Sequence, residues 1–329
     1  CRQLDDTVLS LLARLRVYDA KLTGERDGAT YVLAAADVLY ADTADKKTFL
    51  YTADAVYETP LRLYELEEQL AARDFVRAGK SVLLNFAHVA ALRPDFMSVT
   101  YGAGGGTSEH TVNIAADLKK KYDVTVLTHL TCVSSTREHV AAMVKKYKDA
   151  GIENILALRG DIPEGGAPHS DYHYAAELVR DIKSQGDFCV GGACYPEGHV
   201  EAANKTEDIL HLKEKVDAGC EFLTTQMFFD NNIMYNFLYR IREKGITVPV
   251  VAGIMPVTNV KQIKRITSMS GTYLPERFKA IVDRFGDNPA AMKQAGVIYA
   301  TEQIIDLIAN GVNHIHVYSM NKPEIAAGI

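Results

Sequence analysis

The pattern of apolar and polar positions changes once along the chain, near residue 95. Before that point, Leu4 to Ala20 has helical spacing, with Leu4, Val8, Leu11, Leu12 and Leu15 on one face. Short alternating runs follow at 30–34, 38–40, 48–52 and 55–58, with Asp27-Gly28 and Ala53-Asp54 where turns are needed. The spacing then predicts a short amphipathic helix over 61–70 and a strand over 81–86. Strands this short, with brief connections, predict a small and mostly antiparallel module.

After Asp95 the rhythm becomes strand, loop, helix. Apolar strand cores are predicted at 96–100, 124–128, 154–158, 188–194, 222–226, 248–253 and 314–318. Helical stretches lie between them, at 111–122, 136–150, 175–185, 207–218 and 233–244. The strands are nearly continuous apolar runs, as expected where helices cover a parallel sheet. Crossovers of this length suit a doubly wound sheet or a barrel. Polar residues and glycines follow the strand ends: Tyr101-Gly102-Ala103-Gly104, His129, Arg159-Gly160-Asp161, Tyr195-Pro196-Glu197 and Gln226. In a barrel those positions form the carboxyl-terminal mouth, where the chemistry sits. Seven strands can be counted, against the eight of a closed barrel.

Composition narrows this picture only slightly. The 329 residues leave room for two domains, 47% are hydrophobic, and no apolar run reaches membrane-spanning length. The first residue is Cys1, so the start is read as incomplete, and no signal peptide is visible. Five cysteines without CxxC spacing predict a reducing, cytoplasmic location, not a disulfide framework or zinc site, with Cys132, Cys189 and Cys220 as buried thiols. The net charge is −6, and residues 1–94 carry 12 Lys/Arg against 14 Asp/Glu, a net of −2. Any nucleic-acid contact would therefore need a local basic patch.

Single motifs leave alternatives open. The glycine-rich turn after 96–100 could cradle a phosphate on backbone amides, but it has neither GxGxxG nor a P-loop Lys, and a plain loop explains it equally well. Arg159 can bind a phosphate or an electron-rich ring and Asp161 an amino-pyrimidine edge; a structural ion pair accounts for both too. His129, His199 and His211 share no ligand spacing, so no metal is expected.

Taken together, "FMSVTYGAGG", "THLTC", "LALRGD", "CYPEGH", "KVDAGCEFLTTQMFFD", "GIMPVTNVKQ" and "HVYSMNKPE" resemble the methylenetetrahydrofolate reductases in order and spacing, over residues 95–329. The resemblance implies an FAD-dependent oxidoreductase of one-carbon metabolism and methionine biosynthesis, with NADH or NADPH as hydride donor. By position it implies that Thr100, Tyr101, Ala103, His129, Arg159, Gly160, Asp161, Tyr174, Ala175, Tyr195, His199, Asp208 and Lys215 line the flavin site. Asp161 and Gln226 become the catalytic pair, and Gln226, Gln262, Tyr318 and Lys322 the folate contacts. His211, Glu214 and Lys322 depart from the family pattern, where Asn, Arg and Arg are common. Association into a homo-oligomer is what related barrels suggest.

The implied fold is a TIM (β/α)8-type barrel lacking its first strand and helix. That strand should carry the Glu that acts as general acid on the folate, yet no such motif precedes Leu92-Arg93-Pro94-Asp95-Phe96. The 86–96 connection is also too short for a crossover. The preceding stretch, above all "FVRAGKSVLLN", instead resembles the LytTR class of DNA-binding domains, cut short at Pro94. This gives a small, mainly-β domain at 1–94, with Lys46, Lys47, Arg77, Lys80 and Ser81 as candidate DNA contacts. Three functions follow: a folate reductase weakened by the missing acid, a transcriptional regulator with a flavin- or folate-sensing barrel, or a non-functional chimera joined at "LRP".

Overall fold

The computed structural model describes residues 21–71, 73–100, 108–162 and 170–329. The helix expected over Leu4–Ala20 and the glycine-rich turn at 101–105 lie outside these. The chain folds as two compact units. One holds the described residues up to Arg93 together with Ser319–Gly328; the other holds Pro94–Tyr318 and Ile329.

The first unit is a seven-stranded antiparallel sheet in the order β2-β1-β5-β4-β3-β7-β6. Its strands are β1 (Lys21–Arg26), β2 (Ala29–Ala34), β3 (Val38–Ala44), β4 (Lys47–Thr52), β5 (Val56–Thr59), β6 (Phe75–Arg77) and β7 (Val82–Asn85). Two hairpins close on two-residue turns, Asp27-Gly28 (φ 51° and 77°) and Asp45-Lys46 (φ 49° and 66°). Positive φ at both central positions matches the twist of the flanking strands. Strand β1 escapes sequence reading because only Leu22 and Gly24 are buried in it. Gly24 is required there: a Cβ would sit 2.6 Å from that of Tyr57. Helix α1 (Leu63–Gln69) covers one face, and Leu63, Leu66 and Leu70 join Leu22, Val38, Ala41, Leu50, Phe75 and Leu83 in the core. A short helix, α2 (Phe86–Ala90), follows, capped by the Asn85 side chain on the Ala87 N–H. Within this unit the Tyr40 hydroxyl donates to Glu324 at 3.5 Å and its ring stacks on Tyr51.

The second unit is a parallel seven-stranded sheet in the order β14-β13-β12-β11-β10-β9-β8. Its strands are β8 (Phe96–Val99), β9 (Thr125–Thr131), β10 (Asn154–Leu158), β11 (Cys189–Cys194), β12 (Phe222–Thr225), β13 (Val250–Ile254) and β14 (Ile315–Val317). Helices α3 (Ser108–Tyr122), α4 (Arg137–Asp149), α5 (Ala175–Gln185), α6 (Lys205–Asp217) and α7 (Asn231–Glu243) form the crossovers. Then come α8 (Val260–Ser270), α9 (Glu276–Phe285) and α10 (Pro289–Ala309) before β14. Side-chain caps define the starts of α4, α6 and α7, from Thr136, Asn204 and Asp230. The 86–96 segment needs no crossover, because β7 and β8 belong to different sheets.

Strand order alone does not say how far this sheet curls; its side chains do. A cavity of about 430 Å³ is lined by the amino-terminal ends of all seven strands, from Asp95 and Phe96 to His314 and Ile315. No ladder joins β8 to β14 among the described residues. Across that gap Ser98 Oγ and His316 Nε2 share a 3.0 Å hydrogen bond, and Phe96 stacks on His316. The unit is thus an α/β fold whose parallel sheet curves like a barrel, with helices outside. Among the described residues no helix is long and apolar enough to cross a membrane.

Candidate functional site

Parallel strands all deliver their carboxyl-terminal ends to one side, so residues distant in sequence meet there. Arg159, Gly160 and Asp161 follow β10, Tyr195 follows β11 and Gln226 follows β12. Gly160 takes φ 85°, which turns the chain sharply beyond Arg159. Arg159 and Asp161 both act on the Tyr195 hydroxyl, whose pKa is pushed up to about 12, chiefly by burial and then by the Asp161 charge. The Tyr195 ring meets His199 edge-on at 4.7 Å. Burial foremost, then Arg159, holds His199 below the usual imidazole range. Asp208, at the start of α6, accepts the His199 backbone N–H, and burial raises its carboxyl.

Lys215 lies in the last turn of α6 with its stem over Gly192, where a Cβ would come within 2.6 Å of Lys215 Cδ. Its ammonium donates to the Ala193 carbonyl at 2.6 Å, and desolvation lowers its pKa. His129, on β9, has a buried Nε2 without a hydrogen-bond partner. Its pKa is lowered to about 4 by burial and then by His316, which is itself lowered to about 4. Thr100 is exposed beyond β8, Ala175 is buried and Tyr174 exposed at the start of α5, with the Tyr174 ring 6.4 Å from that of His211. Tyr101 and Ala103 lie outside the described residues.

The expected folate contacts differ in how they are held. The Gln226 N–H donates to Cys194 O, while its Oε1 accepts the Met227 N–H at 3.0 Å. The Tyr318 hydroxyl donates to Thr225 O at 2.8 Å, and Thr225 Oγ1 accepts the Gly253 N–H at 2.8 Å. Tyr318 therefore fixes the residue immediately before Gln226. Gln262 is half-buried on α8. Lys322 falls in Ser319–Gly328, the segment grouped with the first unit.

Three residues that sequence reasoning passed over belong to this mouth. Glu201 grips Arg159 through two hydrogen bonds, at 2.6 and 2.7 Å. Thr225 links β12 to β13 and to Tyr318. His316 faces both Ser98 and His129. Glu201 had a signal, two places after His199 in the same polar loop; Thr225 and His316 sit inside apolar strands and had none. Glu197, read as a mouth residue, accepts the Tyr273 N–H at 2.9 Å. Among the described residues no cluster of His, Cys, Asp and Glu is arranged to hold a metal ion. Cys132, Cys194 and Cys220 are buried and free, and Cys189 is half-buried.

In the first unit, β3 pairs with both β4 and β7, so the turn at Asp45-Lys46 and the loop at 78–81 share one end of the sheet. The Thr43 N–H to Ser81 O bond, 3.0 Å, ties them. Lys46 and Lys80 are exposed, Lys47 pairs with Glu58 at 2.8 Å, and Arg62 donates to Lys46 O. Arg77 is committed internally: Nε to Gly79 O, one terminal nitrogen to Glu67, the other to Lys80 O. It shapes the loop that presents Lys80. Arg62 was not foreseen, because a lone Arg before a helix carries no signal of its own.

Comparison with known proteins yields two family matches. The methylenetetrahydrofolate reductase model matches residues 76–329, and the LytTr DNA-binding domain model matches residues 28–102. The chain is 37% identical over 242 residues to a 5,10-methylenetetrahydrofolate reductase of Pectobacterium carotovorum subsp. carotovorum, covering 73% of this chain and 80% of that protein. It is 36% identical over 251 residues to a probable methylenetetrahydrofolate reductase (NADH) of Oryza sativa subsp. japonica, covering 72% of this chain and 42% of that one. Among solved structures, an uncharacterized Clostridium thermocellum protein that binds two copies of 5-methyl-5,6,7,8-tetrahydrofolic acid aligns with a TM-score of 0.49 at 12% identity, over 74% of this chain and 97% of that one.

Proposed function

The chain belongs to the methylenetetrahydrofolate reductase family, and from that premise we propose that it binds FAD at the barrel mouth and reduces 5,10-methylenetetrahydrofolate to 5-methyltetrahydrofolate with NADH or NADPH. The observation that carries this reading is the meeting of Arg159, Asp161, Tyr195, His199, Asp208 and Lys215 at one set of strand ends. The donor set fits such a cofactor: two cations for a diphosphate or an electron-rich ring edge, and a buried His129 Nε2 with no protein partner. When bound, the flavin supplies hydride acceptance and delivery. Arg159 and Lys215 bind and orient it. By the family resemblance Asp161 would lie between a bound flavin and the pterin, where its negative charge would disfavour flavin reduction and favour a cationic form of the folate. Gln226 turns from the Met227 N–H to the substrate, anchored behind by Tyr318. A cytoplasmic location goes with this reading.

We extend the proposal to the missing acid. In sequence, the residues before β8, where the family resemblance puts a first strand and its Glu, belong to the antiparallel unit. Loss of a general acid costs about 10²–10⁴ in rate. The purified protein, reconstituted with FAD, is expected to show a flavin spectrum and folate turnover lower by that factor than a complete family member. Turnover equal to that of the complete enzyme would refute the missing acid. A colourless protein after reconstitution would refute the flavin site.

A second reading rests on the LytTr match and on the shared position of the Lys46 and Lys80 turns. In it the first unit binds DNA and the barrel senses flavin or folate. Gel shifts at low salt, with and without FAD, test it: no sequence-selective shift in either state removes it. The overlap of the two family matches over residues 76–102 supports a chimeric origin for the chain. A fusion without function would aggregate and bind neither ligand.

A further inference from the structure

The loop between β11 and α6 supplies one acid that neither reading uses. Glu201 places both carboxylate oxygens on the two terminal nitrogens of Arg159, at 2.6 and 2.7 Å. This is the parallel two-bond geometry by which a guanidinium holds a phosphate or carboxylate. The face of Arg159 that would grip an anionic ligand is therefore already filled by an anion of the protein's own. Arg159 is the better buried partner, with its side chain 26% exposed against 54% for Glu201. The fork is thus held by the barrel, and the carboxylate approaches from the solvent side.

Glu201 is also wired to the rest of the mouth. Its backbone N–H donates to His199 Nδ1 at 3.1 Å, and the His199 N–H is taken in turn by Asp208. Arg159, His199 and Asp208, three expected cofactor residues, are thereby joined through Glu201. A ligand that took the fork would free the carboxylate and loosen the loop at His199.

We propose that Glu201 is a latch: its carboxylate stands in for an anionic ligand oxygen on Arg159 and is displaced when the cofactor binds. The inference rests on the reading of the mouth as a flavin-cofactor site. It predicts an affinity held below what the cations alone would give. A half-exposed ion pair is worth at most about 1 kcal/mol, so its removal should strengthen anion binding about three- to fivefold.

The test measures dissociation constants of FAD, inorganic pyrophosphate and riboflavin for the unaltered protein and for Glu201→Gln and Glu201→Ala. Thermal melts check that both variants fold. Tighter binding of FAD and pyrophosphate by both variants, with riboflavin unchanged, supports a latch opened by phosphate. A gain confined to FAD and riboflavin supports a latch opened by the ring edge. Unchanged or weaker binding of all three overturns the latch, weaker binding meaning that Glu201 positions Arg159. If the unaltered protein binds pyrophosphate but no FAD, the flavin reading fails while the pyrophosphate comparison still decides the latch. If no form binds either compound, both fail.

Discussion

The barrel mouth and the basic end of the antiparallel sheet were both singled out through a family resemblance, but they are built differently. At the mouth and in the strands beneath it, polar groups are buried with nothing to bond: His129 Nε2, Thr224 Oγ1 and His316 Nδ1. Among the described residues of 21–93 there is no such group. There Arg77 is bonded to its own loop and to Glu67 on α1, Lys47 is paired, and the remaining lysines stand in water. Burying a polar group without a partner costs free energy, and a fold that tolerates several in one place is prepared for something to complete them. An exposed ammonium costs nothing and implies nothing until an anion approaches. Both regions carry polar and charged residues; what separates them is the state of the hydrogen bonds.

Acid should break the comparison most sharply. The His129 and His316 pKa values lie near 4 in the fold, against about 6.5 for an unfolded imidazole. Between those pH values the unfolded chain binds more protons than the folded one, so stability is full above pH 6.5 and falls as pH drops toward 4. The upper bound is about 3 kcal/mol per histidine. Hydrogen exchange at pH 7 and pH 4.5 should show barrel strands losing protection by more than the antiparallel strands. Equal losses in the two sheets would mean that the two imidazoles are not held neutral by burial.

A second effect, of about 1–3 kcal/mol, is expected from Gly253→Ala, because overpacking a close contact forces backbone shifts. The added Cβ would lie 2.4 Å from Thr225 O and 2.8 Å from the Tyr318 hydroxyl. It should separate the strand ends that hold Gln226 and lower the melting temperature of the barrel alone. A variant with wild-type melting and wild-type folate affinity would show that Gln226 does not depend on this junction.

These junctions mark the limit of what the sequence disclosed. All seven parallel strands were visible as apolar runs, and β10 and α5 were placed at their observed limits, because buried parallel strands and amphipathic helices write their burial directly into residue type. The mouth residues were legible only through the family resemblance, since His129 or Asp161 alone supports several explanations. Strand β1, though it lies between β2 and β5, was missed because a mostly polar, glycine-containing run gives no alternating apolar pattern. Thr225 and His316 were missed because pairing between strands depends on register, which local pattern does not encode. The Ser98–His316 bond spans 218 positions, and no window along the chain contains both.

The smallest expected effects lie at the basic end of the sheet, where structure separates two neighbours that sequence treats alike. Arg77→Ala removes a partly buried bond to Glu67 and exposed bonds to Gly79 O and Lys80 O and should cost the first unit about 1 kcal/mol, the net worth of a typical hydrogen bond. Lys80→Ala removes only an exposed ammonium, and such surface changes stay within about 0.5 kcal/mol. If the unit binds DNA, Lys80→Ala should still reduce the slope of log affinity against log salt by about 0.9, the value for one phosphate contact. Arg77→Ala should weaken binding through loss of the loop's shape, and more on warming than with salt. Melting curves and salt titrations of the two variants check this pair of outcomes. Identical behaviour in both assays would mean that the loop bonds of Arg77 do not set it apart, and that its charge, like that of Lys80, is what the surface offers to an anion.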